Sequence, residues 1–429
     1  MSNRFTYKTG NYYPRREFLK RTAGAGLGLA GLPAVCAVGR PEHPVSKRKL
    51  IRWQAHTVSK IPNGYQVAVA DVDGDGRPDI LALSSVESVV EWYANPCWKG
   101  QAITTETKKN ISLAPLLRSA YPAHGLALAS DFDLNESTQG GSVWWAEPAG
   151  SPDSEWSLRL IGQIPTSHRL RWADLDGDGR LELVDVPLLG RGAQEPDYKQ
   201  GAPLTWFEMP ERLLRGHLSA GEQAQGAWAP HLIDDSLTVV HGVYVLDWDD
   251  DGREEILTAS FEGVYLFDAT GSGSDLHWKK THLAAGEQAS RPRRGSSEIA
   301  VGRVGGRRFL ATIEPWHGEA VAVYFEGKAG ELWNRYVIDD TFRDGHALAV
   351  ADLDGDGSDE IVAGFRGPGT SLYAYYAVDS TGRNWERQML DTEMAASGVI
   401  IADINGDGRL DLVAIGASTG NVKWYENLG

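Results

Sequence analysis

The sequence predicts an all-β fold, a seven-bladed β-propeller closed by its own N-terminal strand. Three observations carry that prediction. An acidic loop recurs along the chain: DVDGDGRPDI at 71–80, DLDGDGRLEL at 174–183, DWDDDGREEI at 247–256, DLDGDGSDEI at 352–361 and DINGDGRLDL at 403–412. After each copy, in the same phase, come an apolar run, an aromatic strand and, for all but the last, a Trp-led strand. The two ends of the chain hold complementary fragments of that unit. Four short antiparallel strands repeated about every 50 residues describe a propeller blade.

Bulk composition agrees. The 429 residues carry a formal net charge of -16, which argues against nucleic-acid binding, because that relies on Lys and Arg neutralising phosphates. Gly 49 and Trp 15 are both high, as in all-β proteins. Two cysteines, Cys36 and Cys97, cannot build a disulfide framework.

Residues 1–37 read as a twin-arginine signal peptide: Arg15 and Arg16 in PRREFLK, then the mildly apolar TAGAGLGLAGLPAVCAV. That run is too short and Gly-rich for a membrane span. The expectation is a periplasmic or extracellular protein. Residues 38–50 read as a linker and 51–429 as the propeller.

WQAHTVSK, from Trp53, is a lone fourth strand, and the chain ends on a third strand, KWYENLG. Pairing the two closes the ring and removes the open edges that invite aggregation. Between them, VEWYANP, VWWAEP, LTWFEMP, VYLFDA, VAVYFEG and LYAYYAV supply the other aromatic strands, and tryptophans 98, 156, 228, 278, 333 and 385 open the other fourth strands. DFDLNES, from Asp131, reads as a degenerate acidic loop in a second blade whose own second strand is missing or distorted. GRVGGRRFLA, from Gly302, is a copy without carboxylates. Blade 3 carries an insertion, LLGRGAQEPDYKQGAP, at 188–203.

In five loops, oxygen ligands fall at positions 1, 3, 5 and 9. They are Asp71, Asp73, Asp75 and Asp79; Asp174, Asp176, Asp178 and Glu182; Asp247, Asp249, Asp251 and Glu255; Asp352, Asp354, Asp356 and Glu360; and Asp403, Asn405, Asp407 and Asp411. Alternate side chains wrap one centre, and glycine at position 6 permits the tight turn. Hard oxygen ligands in that number suit Ca²⁺, giving about five structural sites.

His168, His241 and His346 each stand six residues before the first aspartate of a loop, and His124 stands seven before Asp131. The equivalent places in the other blades are Tyr65, Ser296 and Ser397. Six residues of strand span about 20 Å. The histidines therefore sit at the far end of the innermost strands, around the channel mouth opposite the calcium loops. EPWHGEA adds Trp316, His317 and Glu319 at that mouth, the blade 3 insertion adds Arg191, and RPRRGSSE adds Arg294 and Glu298. Neutral imidazoles can hold Zn²⁺ or Mn²⁺, or act as general acid and base. Arginines suit an anionic or hydroxyl-rich ligand, and Trp316, Tyr121 and Trp172 could stack on a sugar ring. The set suits β-elimination on a carbohydrate, with His124, His168, His241, His317 and His346 as catalytic candidates. No Ser-His-Asp order or paired-carboxylate signature supports hydrolysis.

The D-x-D-G-D-G loops followed by apolar strands resemble FG-GAP/VCBS repeats over nearly all of 51–429. That resemblance fixes a fold and is nearly silent on function. HRLRWADLDGDGRLELVDVPLLGRGA (168–193), RGSSEIAVGRVGGRRFLATIEPWHGEAVAVY (294–324) and VAIGASTGNVKWYEN resemble the propeller part of aldos-2-ulose dehydratase-like proteins. This second resemblance implies elimination of water from keto-sugars, a bound metal, and acid/base or metal roles for His168, His241, His317 and His346. The expectation is a carbon–oxygen lyase acting on a keto- or oxidised sugar. The alternative is a non-catalytic propeller that binds carbohydrate or protein. Convergence of the histidines on one polar pocket favours the first, and scattered rings the second.

Overall fold

The computed structural model describes residues 50–117, 124–214 and 228–429. The expected signal peptide, most of the expected linker and Tyr121 lie outside the described residues.

The chain forms seven four-stranded antiparallel sheets. Their innermost strands are Gly64–Ala70, Ser112–Leu117, Ser167–Ala173, Gly242–Leu246, Glu298–Val304, Gly345–Ala351 and Ala396–Ala402, for blades 1 to 7 in order. Each touches the innermost strands of both neighbouring blades, so the seven make a closed ring around a channel. Second strands such as Asp79–Ser84, Glu255–Ser260 and Glu360–Phe365 are buried at every residue. They lie between two blades and have no solvent face, which explains their unbroken apolar runs. Aromatic residues fill the seams: Trp145 of blade 2 meets Trp172 of blade 3 edge to face at 6.1 Å.

The ring closes as the sequence predicts. Trp53–Lys60 pairs antiparallel with Asn421–Asn427, with Trp53 opposite Asn427 and Lys60 opposite Asn421. The fourth strand of blade 7 therefore comes from the start of the domain.

The five acidic loops all join an innermost strand to a second strand, so they share one face of the ring. In the first, Gly74 and Gly76 take φ of 77° and 89°, a conformation open to glycine at little steric cost. Blade 5 replaces the loop with a two-residue turn, Gly305 and Gly306 at φ 56° and 77°, between Val304 and Arg307.

Blade 2 departs from the expectation. Ser112–Leu117 is its innermost strand and His124–Ser130 its second, with Leu117 opposite His124. All four strands are present, so no strand is missing. Asp131 therefore follows a second strand and lies at the channel-mouth end, not in an acidic loop of the repeat. The phase was lost because the sequence after SLAPLL carries no acidic motif, while D-F-D occurs by coincidence after the next strand. The described residues contain one helical turn, Glu211–Leu214, and no helix long and apolar enough to cross a membrane.

Candidate active site at the channel mouth

His168, His241 and His346 come from the innermost ends of blades 3, 4 and 6, and His317 from the loop between the second and third strands of blade 5. The ring brings the four together. Ring centroids are 4.6 Å apart for His168 and His241, 4.9 Å for His241 and His317, 4.9 Å for His241 and His346, and 5.4 Å for His317 and His346.

The hydrogen bonds fix how two of these rings face. Nδ1 of His241 lies 3.0 Å from the carbonyl oxygen of Ser297 and 3.0 Å from Oε1 of Glu298. Nδ1 of His346 lies 2.5 Å from the carbonyl oxygen of Ser397. A carbonyl oxygen only accepts, so both Nδ1 atoms carry the proton and both Nε2 atoms turn a lone pair into the cluster. Nε2 of His317 stands 3.1 Å from Nε2 of His241. Behind it, Arg366 lies 3.3 Å from Nδ1 of His317 and pairs with Asp344 at 2.9 Å.

Tyr65 links the other two histidines. Its hydroxyl is 2.8 Å from Nε2 of His168 and 3.1 Å from Nε2 of His346. Arg169 lies 3.1 Å from Nε2 of His168 and donates to Glu298 at 2.8 Å. Its approach marks that Nε2 as an acceptor, so the proton of His168 belongs on Nδ1, which is buried with no hydrogen-bond partner.

Burial is the main force on these groups. It holds the imidazoles of His168, His317 and His346 well below the ordinary histidine range, and nearby cationic Arg169 and Arg366 add to it. His241 is also lowered by burial, with Glu298 opposing. All four are neutral at neutral pH. Burial works against ionisation of Glu298, but Arg169 and His241 outweigh it and leave the carboxyl below its ordinary value. His168, His241 and His346 are 1%, 1% and 2% exposed, so a ligand reaches the cluster from the side of the half-buried His317.

On that side a cavity of about 280 Å³ is lined by Glu195, Pro196, Tyr198, Pro292, Arg293, Trp316 and His317. Trp316 stands 5.0 Å from the His317 ring and packs edge-on against Tyr198 at 5.7 Å and Phe261 at 5.9 Å. The blade 3 insertion, which supplies Tyr198, thus holds one wall of the entrance.

Several expectations need correction. His124 is an exposed residue opening the second strand of blade 2, at the acidic-loop end, and takes no part in the cluster. Arg191 is exposed on the insertion, and Arg294 reaches Gln288 at 3.2 Å; neither is among the groups that touch the histidines. Glu298 and Trp316 are where the sequence puts them. Tyr65, Arg169, Asp344 and Arg366 were missed as site residues. Tyr65 shares the strand-end position of the histidines and Arg169 follows His168, so both were within reach of the repeat phase. Asp344 and Arg366 had no such signal.

Two kinds of metal-capable cluster are present among the described residues. One nitrogen each from His241, His317 and His346 lies within 4.8 Å of the others. The inward lone pairs of His241 and His346, whose Nδ1 atoms are anchored to carbonyl oxygens, together with Nε2 of His317 once it gives up its proton, fit a borderline-soft divalent cation such as Zn²⁺ or Mn²⁺. At the opposite face, four loops bring three carboxylates within 4.8 Å: Asp71, Asp73 and Asp79; Asp174, Asp176 and Asp178; Asp247, Asp249 and Asp251; Asp352, Asp354 and Asp356. One carboxylate oxygen each of Asp71, Asp174 and Asp247 is buried without a hydrogen bond. The position-9 carboxylates close the loops: Asp79 accepts the N–H of Val72, Glu182 that of Leu175, Glu360 that of Leu353 and Asp411 that of Ile404. Burial pushes Glu182 up to about 8 and Asp411 up to about 6.

Comparison with known proteins agrees with this architecture. The aldos-2-ulose dehydratase β-propeller domain family matches residues 140–327, and FG-GAP repeat families match 352–414 and 63–85. Aldos-2-ulose dehydratase of Phanerodontia chrysosporium is 26% identical over 305 residues, covering 65% of this chain and 32% of that protein. The chain spans about a third of the length of the curated relative it matches. It is a seven-bladed propeller with FG-GAP repeats, similar to the propeller part of that dehydratase.

Proposed function

We propose that the chain is a carbohydrate-active carbon–oxygen lyase that performs β-elimination on a keto- or oxidised sugar at the channel mouth. The carrying observation is the convergence of four neutral histidines, Tyr65 and the Arg169–Glu298 pair in one buried cluster that meets the entrance cavity at His317. The similarity to aldos-2-ulose dehydratase supports the same reaction class.

In such a step a neutral imidazole takes the proton from the carbon next to the sugar carbonyl. The electron pair of that C–H bond forms the new C=C bond while the neighbouring C–O bond breaks. The departing hydroxyl takes a proton from a second group and leaves as water. His168 is suited to the first role, because Nε2 is its unprotonated nitrogen, with the Tyr65 hydroxyl 2.8 Å away, and the cation of Arg169 beside it keeps the imidazole neutral and able to accept a proton. Tyr65, poised between His168 and His346, is suited to hand a proton to the leaving oxygen. His241, His317 and His346 would hold a Zn²⁺ or Mn²⁺ ion, which supplies Lewis-acid stabilisation of the enolate-like state. Trp316 offers a face for a sugar ring at the entrance.

The five acidic loops would hold Ca²⁺ as structural sites, which accounts for crowded carboxylates whose burial raises their pKa. The pattern at 1–37 supports export by the twin-arginine pathway; replacing Arg15 and Arg16 by Lys should then retain the protein in the cytoplasm.

The test is growth of ultraviolet absorbance from an unsaturated carbonyl when the protein meets keto-sugars. Wild type should produce it, and His241→Ala and His346→Ala should lose at least about 100-fold in rate. Equal activity in all three would remove these residues from the chemistry, and binding of sugar with no product would favour a non-catalytic propeller.

A further inference from the structure

Beneath the histidine cluster the channel holds a second charged layer. Along the innermost strand of blade 3, Trp172 faces blade 2: its indole donates to the carbonyl of Ala114, and its ring meets Trp145. The alternating residues Arg169 and Arg171 therefore lie on the other face of the strand, away from blade 2, where both interact with Glu298 of blade 5 and Arg171 also with Tyr244 of blade 4. Arg169 crosses the channel, reaching Tyr65 of blade 1 and Glu298 of blade 5. Arg171 lies two residues deeper, about 7 Å further from the mouth.

Arg171 is poorly served there. Among the described residues its one hydrogen bond goes from Nη1 to the carbonyl oxygen of Leu170 at 2.8 Å, out of five donors that a guanidinium carries. The carboxylate of this layer, Glu298, is already shared by Arg169 and His241. The charged and titratable groups around Arg171 are Arg169, Glu298 and Tyr244, from the innermost strands of blades 3, 5 and 4. Two guanidinium groups thus face one carboxylate, and Arg171 is only partly buried, within reach of a small ion from solvent. Burial and the neighbouring Arg169 push the Arg171 guanidinium down to about 10, the direction expected for a cation short of counter-charge.

We propose that Arg171 anchors a small inorganic monoanion, of the chloride class, in the central channel below the histidine site. The anion completes the charge of the layer and takes the donors that Arg171 leaves unused. The Arg169–Glu298 pair stands between this position and the mouth, so the ligand is a free ion and not the carboxylate of a substrate. This inference does not depend on the elimination reaction and stands or falls without it.

Thermal unfolding of the full chain in sodium chloride and in sodium gluconate at equal ionic strength tests it. The expected result is a melting temperature about 2 °C or more higher in chloride for wild type, a difference absent from Arg171→Leu and partly kept by Arg171→Lys. Crystals soaked in bromide give the second reading, an anomalous peak within about 3.5 Å of the guanidinium. No chloride dependence, or the same dependence in Arg171→Leu, overturns the proposal. A bromide peak without any dependence in solution means an adventitious ion only, and also overturns it. If a uronate replaces chloride in raising the melting temperature, the site takes a substrate carboxylate and the assignment to an inorganic ion is wrong.

Discussion

His241 and His346 show how much a single residue owes to its neighbours in space. Each donates through Nδ1 to the carbonyl of a serine at the start of the next blade, Ser297 and Ser397, and so must offer a lone pair at Nε2. Elemental analysis checks what those lone pairs are for. Wild type should carry about one equivalent of transition metal per chain, and His241→Ala should lose it with calcium content unchanged. Asp185 gives a separate test by pH. It is wholly buried, with Ser167 donating to one oxygen and no partner on the other, and burial pushes its carboxyl up to about 7. Unfolded, it ionises near about 3.9. Between those values the folded chain holds a proton that the unfolded chain has released, so this group makes stability fall as pH rises through the window. The displacement is worth at most on the order of 4 kcal/mol. Asp185→Asn should therefore be more stable than wild type at pH 8, with a clearly smaller gap at pH 5. Denaturant melts at both values check this, and a wild type favoured at pH 8 would contradict it.

At the scale of elements, the aromatic strands also tie one acidic loop to the next. Asn95 ends such a strand in blade 1: its N–H donates to Asp79, and its side chain donates to the carbonyl of Ile404 in the loop of blade 7. Asn427 repeats this in blade 7, with Asp411 and the carbonyl of Leu353 in the loop of blade 6. Loops 6, 7 and 1 are therefore linked in series across the closure. Asn427→Ala should cost about 1–3 kcal/mol by stranding buried carbonyl groups, read as a lower urea midpoint. Removing calcium with a chelator should lower the melting temperature, because the loop carboxylates then repel at short range; unchanged melting would speak against the calcium assignment. The loops, the aromatic strands and the two-glycine turn of blade 5 were legible because local motifs spell them. Blade 2 was not, because SLAPLL is an inner strand without a motif and HGLALAS imitates one.

The whole molecule turns separation in sequence into contact. Tyr65 and His346 are 281 residues apart and share a hydrogen bond, which only a closed ring permits. Recognising the closure let the sequence place His168, His241, His317 and His346 at one mouth. It could not reveal Arg366 behind His317, because that contact depends on loop shape and not on strand phase. Closure itself is testable: deleting residues 51–60 exposes the edge of Asn421–Asn427 and should yield aggregated protein or a sharply lower melting temperature. On the proposed function, the mouth of this ring takes a proton from a sugar. Proton NMR of a keto-sugar in D₂O measures that step directly, even where no group leaves. Wild type should speed the loss of the C–H signal beside the carbonyl, and His168→Ala should abolish that acceleration. Exchange at the wild-type rate in His168→Ala, or none with wild type on any keto-sugar tried, would contradict it.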